Sequence, residues 1–262
     1  MWWSAGATGG IALTVLLLAA GAGAAAHATV LSAPYVGTQV GTSHTLSVSG
    51  CGGAAMPTPP SFRGHSGLGH FALSARAPSC ANPAGSDGYV LASFIANVPI
   101  PLHGKSATVT AVIAVTATVQ SSVRAGSCVH AVGAYSYCYQ SATAFLAGYV
   151  WVEDTTNGTF SYAGNYWSGA YSSSYVDDFC SGGNCTKYSA HGGTLTVNTV
   201  FALFVNVTSV ASHHHYVLVV EFYGDASAST YVYGATLTGG HARAAVDVSG
   251  TNSVNLASIT IV

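Results

Sequence analysis

The sequence predicts an all-β fold, an antiparallel β-sandwich preceded by an N-terminal signal helix, and three observations lead there. Apolar residues recur at every second position over long runs, the period of a half-buried strand and not of a helix. Gly, Asp, Ser and Asn interrupt the last third of the chain at intervals of about ten to twelve residues, the spacing of strands joined by turns. Beyond the first segment no run carries helical periodicity. The pattern does not choose between jelly-roll and immunoglobulin-like strand orders.

Residues 1–28 read as a secretory signal peptide. "GGIALTVLLLAAGAGAAA" (9–26) is apolar but too rich in Ala and Gly for a convincing spanning helix. Ala26-His27-Ala28 has the A-x-A form of a cleavage site, which makes Thr29 the first mature residue. The leading "MWWSAGAT" has no Lys or Arg, and the alternative is an uncleaved anchor. Cleavage after Ala26 would instead expose His27. There "HATV" resembles, in those four residues, the copper-holding histidine brace of lytic polysaccharide monooxygenases. The remainder, 29–262, suits one β-sandwich domain, since all-β folds of this length are often undivided.

Within that domain "ATVTAVIAVTATVQ" (107–120) sets Val109, Ala111, Ile113, Val115, Ala117 and Val119 on one face and mostly threonines on the other. "TLTVNTVFALFVNVT" (194–208) alternates likewise, with Asn198, Asn206 and Thr208 on the wet side. Both runs are long for a strand and lead us to expect a bend or bulge midway. Strands follow at 216–224, 229–237, 242–250 and 254–262. Two tracts read as long loops: 49–88, with Gly and Pro throughout its first half, and 156–192, rich in Tyr, Ser and Gly.

The six cysteines are an even set, as disulfides in an exported chain require. Nearest-neighbour pairing gives Cys51–Cys80, Cys128–Cys138 and Cys180–Cys185, each closing a Gly-, Ser- or Pro-rich loop. C-x2-C zinc spacing is absent. Three N-x-S/T sequons, at Asn157, Asn184 and Asn206, are possible glycosylation sites. The expected location is the extracellular space or the cell surface.

Charged residues make up 5% of the chain, against about 25% in an ordinary soluble domain. Six Lys/Arg against eight Asp/Glu give −2, with no run of either sign, which disfavours a nucleic-acid partner. So few carboxylates leave little stability to be lost in acid. There is no G-x-S-x-G, Walker loop or H-E-x-x-H. Asp177-Asp178 is the nearest thing to an acid pair, and as strand neighbours they would face opposite ways.

Two candidate sites remain. Trp151, Tyr162, Tyr166, Trp167, Tyr171 and Tyr175 supply rings for stacking on sugars or for an adhesive patch. His213, His214 and His215 stand before an apolar strand. If that stretch is extended, His213 and His215 share a face and with His191 could hold a metal ion; otherwise the triplet is a solvated turn. The function these features imply is non-catalytic surface contact: surface-layer, adhesive or glycan-binding. The expected partner is a glycan, another surface component or a second copy, with no cofactor beyond that possible ion. The rival readings are an extracellular polysaccharide-active enzyme and a histidine-based metal module.

Overall fold

A computed structural model describes residues 28–31, 38–50, 53–61, 67–79, 85–249 and 253–262. The signal segment with His27, and the Cys51–Cys80 pair, lie outside the described residues. The rest is all-β. In chain order the strands are β1 (Thr29–Leu31), β2 (Thr38–Gly50), β3 (Ala54–Ser61), β4 (Gly67–Pro78) and β5 (Ser86–Ile100). Next come β6 (Ala107–Arg124), β7 (Ser127–His130), β8 (Ser136–Asp154), β9 (Thr159–Ser181) and β10 (Asn184–Ala190). The last are β11 (Gly193–Val207), β12 (Tyr216–Tyr233), β13 (Ala235–Thr238), β14 (His241–Val248) and β15 (Ser253–Ile261).

The pairings are antiparallel. One sheet has seven strands, with β6 at its centre: β11 runs along one side, and β14 and then β15 share the other. β4 lies beyond β14 and is flanked by β3, while β1 pairs with β15 and sets Thr29 opposite Ile261. The second sheet has the order β10-β9-β8-β12-β5-β2. β7 and β13 form a separate two-stranded ribbon. Together the sheets curl as a half-barrel.

The alternation in the sequence decides which faces meet. Val109, Ala111, Ile113, Val115, Ala117 and Val119 of β6 are buried, and they share one core with Leu146, Val150 and Val152 of β8 and Leu218, Val220 and Phe222 of β12. Burying one such Val, Leu, Ile or Phe is worth ~1.5–3 kcal/mol, so a one-residue slip in register would forfeit the whole row. Close approach of the sheets depends on Gly224 inside β12. A Cβ there would lie 2.7 Å from the Phe71 ring, which enters from β4 of the facing sheet.

Three expectations need correction. The tract 156–192 is not a long loop: most of it is β9, β10 and the first part of the turn into β11. Its inward positions are Ala170, Ser172, Ser174 and Val176, and its outward ones Tyr171, Ser173, Tyr175 and Asp177. Small residues inside and large rings outside invert the usual hydrophobic signal. The buried serines are satisfied across the core: Ser121 of β6 hydrogen-bonds Ser172 at 2.8 Å and Ser174 at 3.1 Å. Gly192 N–H also donates to Ser174 Oγ at 2.7 Å.

The tract 49–88 likewise contains β3, β4 and the start of β5. Finally, β6 and β11 pair without a register shift from Ala107↔Val207 to Ser121↔Gly193, so the expected mid-strand bulge is absent between them. Among the described residues register shifts fall between β8 and β9, between β2 and β5, between β3 and β4, and in β15. In β9, Gly169 (φ 73°) takes a left-handed conformation that a side chain resists.

Candidate functional site: an aromatic sheet face

The outer face of the six-stranded sheet is built by odd-numbered residues of β8 and β12 and by residues of β9 whose parity switches at a register shift, Tyr166 before it and Tyr171 and Tyr175 after it. Tyr149 and Tyr223 stack with ring centroids 5.7 Å apart and planes 12° from parallel. Phe145 lies 5.5 Å from Tyr223, and Tyr166 lies 6.0 Å from Tyr149. Toward the other end of the same strands, Tyr137 stacks on Tyr231 at 5.3 Å and on Tyr233 at 5.9 Å. Tyr166 is 62% exposed, Tyr171 60% and Tyr233 52%, so these rings present their surfaces to water. Cross-strand register brings residues distant in sequence into two ring clusters on one sheet.

Glu221 and Asp225 are the carboxyls of β12 on that face. Glu221 is opposite Tyr149, and Asp225 is opposite Phe145. Burial raises the pKa of each above the ordinary carboxyl value. Burial, and then the hydrogen bond with Tyr149, holds the Tyr223 phenol protonated well above the usual tyrosine range. Glu221 and Asp225 are four residues apart on one strand, about 13 Å along it at ~3.3 Å per residue, with Tyr223 between them. A glycosidase pair requires about 5–9.5 Å.

The residues expected to form the patch divide. Tyr166, Tyr171 and Tyr175 are exposed on β9, and Trp151 is partly covered on β8, where its Nε1–H donates to Glu153 at 3.2 Å. Trp167 does not join them. It stacks on Phe201 at 4.8 Å and packs against the core. The Tyr162 side chain lies outside the described residues, although its backbone pairs with Val152. Tyr137, Tyr223, Tyr231 and Tyr233 also belong to the face and were missed. Their signal was the alternate-position tyrosines in "SYCYQ" and "TYVY" and the single tyrosine of "EFYGD".

The histidines do not form the expected triad. His213, at φ 68°, and His215 are exposed in the turn before β12, so the solvated-turn alternative describes them. His191 lies just before β11 and His213 well after it, so the 15 residues of that strand, roughly 50 Å, separate them. His214 turns inward and pairs with Asp154 through Nδ1. Asp154 also accepts from Thr156 N–H at 3.0 Å. Burial acts to raise the Asp154 pKa, but these hydrogen bonds and the His214 charge outweigh it and hold the carboxyl below its ordinary value.

Among the described residues one group, Cys128, His130 and Asp178, has three metal-ligating atoms within reach of a single ion. Cys128 is bonded to Cys138, so its sulfur is not a thiolate. His130 instead bridges Ser136 Oγ (2.9 Å, from Nδ1) and Asp178 Oδ1 (2.8 Å, from Nε2). This resembles a nucleophilic triad in residue types only. Ser136 is fully buried, and the bridge fastens the β7–β13 ribbon to β8 and β9. Cys180–Cys185 closes the β9–β10 hairpin, and both disulfides are consistent with an extracellular location. Compared with models of known protein families and with curated protein sequences, the chain matches none.

Proposed function

We propose that this protein is an exported, non-catalytic β-sandwich that works by surface contact, using the aromatic face of its six-stranded sheet to hold glycan. The observation that carries the reading is the pair of ring clusters on β8, β9 and β12, with Tyr166 and Tyr171 more than half exposed beside them. Sugar rings present C–H faces that stack on such rings, while phenol hydroxyls hydrogen-bond to sugar hydroxyls. A rigid sheet holds the tyrosines at little entropic cost. The spacing of Glu221 and Asp225 argues against the enzymatic rival.

The test is retention on insoluble polysaccharides. Tyr166→Ala with Tyr171→Ala is expected to weaken retention about three- to tenfold per ring while leaving the melting temperature near that of the parent. Trp167→Ala is a fold control, expected to destabilise without being a contact residue. Undiminished retention in the double tyrosine variant would sink the reading.

A further inference from the structure

Charge is scarce in this chain, and the fold sorts it. Asp87, Glu153, Asp154, Asp177, Asp178, Glu221 and Asp225 all belong to strands of the six-stranded sheet. The seven-stranded sheet carries one carboxylate, Asp247, and three of the chain's six Lys/Arg: Arg76, Arg124 and Arg243. These three are 48 or more residues apart in sequence, so no run of basic residues announces them. Register places Arg243 of β14 directly opposite Arg76 of β4, and His241 opposite Arg124 of β6. All three arginines are exposed.

Directly opposed like charges on antiparallel strands are destabilising, with Cβ atoms only ~5 Å apart. Among the described residues no ion pair involves these guanidinium groups. Asp247 lies four positions along β14 and is taken up by Ser249 N–H and Oγ. β3, which flanks Arg76, contains no charged residue. Burial and then Arg243, Arg76 and Arg124 lower the His241 pKa. A groove of about 490 Å³ is lined by Arg76 and Arg243 together with Ser74, Gln120 and Ser122.

We propose that this groove binds the oxyanion groups, sulfate or carboxylate, of an acidic polysaccharide. Planar guanidinium forks match such groups in bidentate geometry, and the serine hydroxyls and the Gln120 amide supply hydrogen bonds to sugar hydroxyls. A bilayer surface fits less well. Among the described residues no large apolar side chain is exposed on β4 or β14, the strands that carry Arg76 and Arg243; Val200 and Phe204 are exposed on β11, beyond β6 and opposite the far half of that strand. The site is on the sheet opposite the tyrosine face and does not depend on that face binding glycan.

The experiment measures binding of the intact protein to dextran sulfate and to alginate, with neutral dextran, inorganic sulfate and phosphatidylglycerol vesicles as separate arms. The expected result is salt-sensitive binding to one or both acidic polymers, none to dextran, and a rise in the His241 pKa, followed by NMR, on saturation. Arg76→Ala and Arg243→Ala are each expected to weaken polymer binding about ten- to a hundredfold. Each should leave the melting temperature equal or higher, because a repulsion is removed. Arg243→Lys, keeping charge but not the fork, should lose several-fold. Preference for vesicles, equal response to inorganic sulfate and polymer, or undiminished polymer binding in the alanine variants would overturn the proposal. Tyr166→Ala with Tyr171→Ala should leave dextran sulfate binding unchanged, which separates this site from the aromatic face.

Discussion

Glu221 and Asp225 show how single residues set the chemistry of this surface. Their carboxyls titrate higher when folded because burial disfavours the charged form. The unfolded chain therefore releases these protons first. The resulting penalty is absent below about pH 4 and grows as pH rises through the folded values. Glu221→Gln and Asp225→Asn are expected to raise the melting temperature at pH 7 and to leave it unchanged at pH 3; equal shifts at both pH values would exclude charge as the cause. Asp154 acts in the opposite sense. Its folded pKa is lowered, so its contribution is complete above the ordinary carboxyl range and is lost as pH falls through the depressed value. Asp154→Asn should accordingly cost more at pH 7 than at pH 2 in thermal melts. At Gly224 the issue is volume: Gly224→Ala puts a methyl against Phe71 and Val246 and is expected to cost about 1–3 kcal/mol in denaturant titration.

At the level of elements, legibility followed the kind of residue that faced inward. β6 and β11 were readable because aliphatic side chains line their inner faces. β9 was not, because its inner face holds Ala and Ser whose hydroxyls are satisfied by Ser121 and Gly192, partners far away in sequence. β12 runs through Gly224 as one 18-residue strand where a break was expected, since that glycine makes room for Phe71 and is not a turn. The candidate face was half visible: "YWSGAYSSSY" advertises rings, but only register shows that Tyr171 and Tyr175 face out while Trp167 turns in. The His130–Asp178 pair and the arginine groove are assembled from separated single residues that form no motif. The β7–β13 ribbon has a small core of its own, Cys138, Val232 and Leu237, and depends on its tether. Replacing Cys128 and Cys138 by Ser is expected to cost about 2–3 kcal/mol and to expose the amides of 127–130 and 235–238 selectively to hydrogen exchange.

For the molecule as a whole, the opposed contributions of Asp154 on one side and Glu221 and Asp225 on the other, with three ion pairs among the described residues, predict weak acid sensitivity. His241 adds a small loss as pH falls below about 6.5, because its charged form is disfavoured when folded. Melting temperatures at pH 3 and pH 7 should be close, and collapse at pH 3 would contradict this balance. The pairing of Thr29 with Ile261 has a topological consequence. In a chain shortened to begin at Thr29, a short glycine bridge from Val262 back to Thr29 would make a loop without ends, and fresh termini opened at the exposed Gly104 would yield a circular permutant with the same architecture.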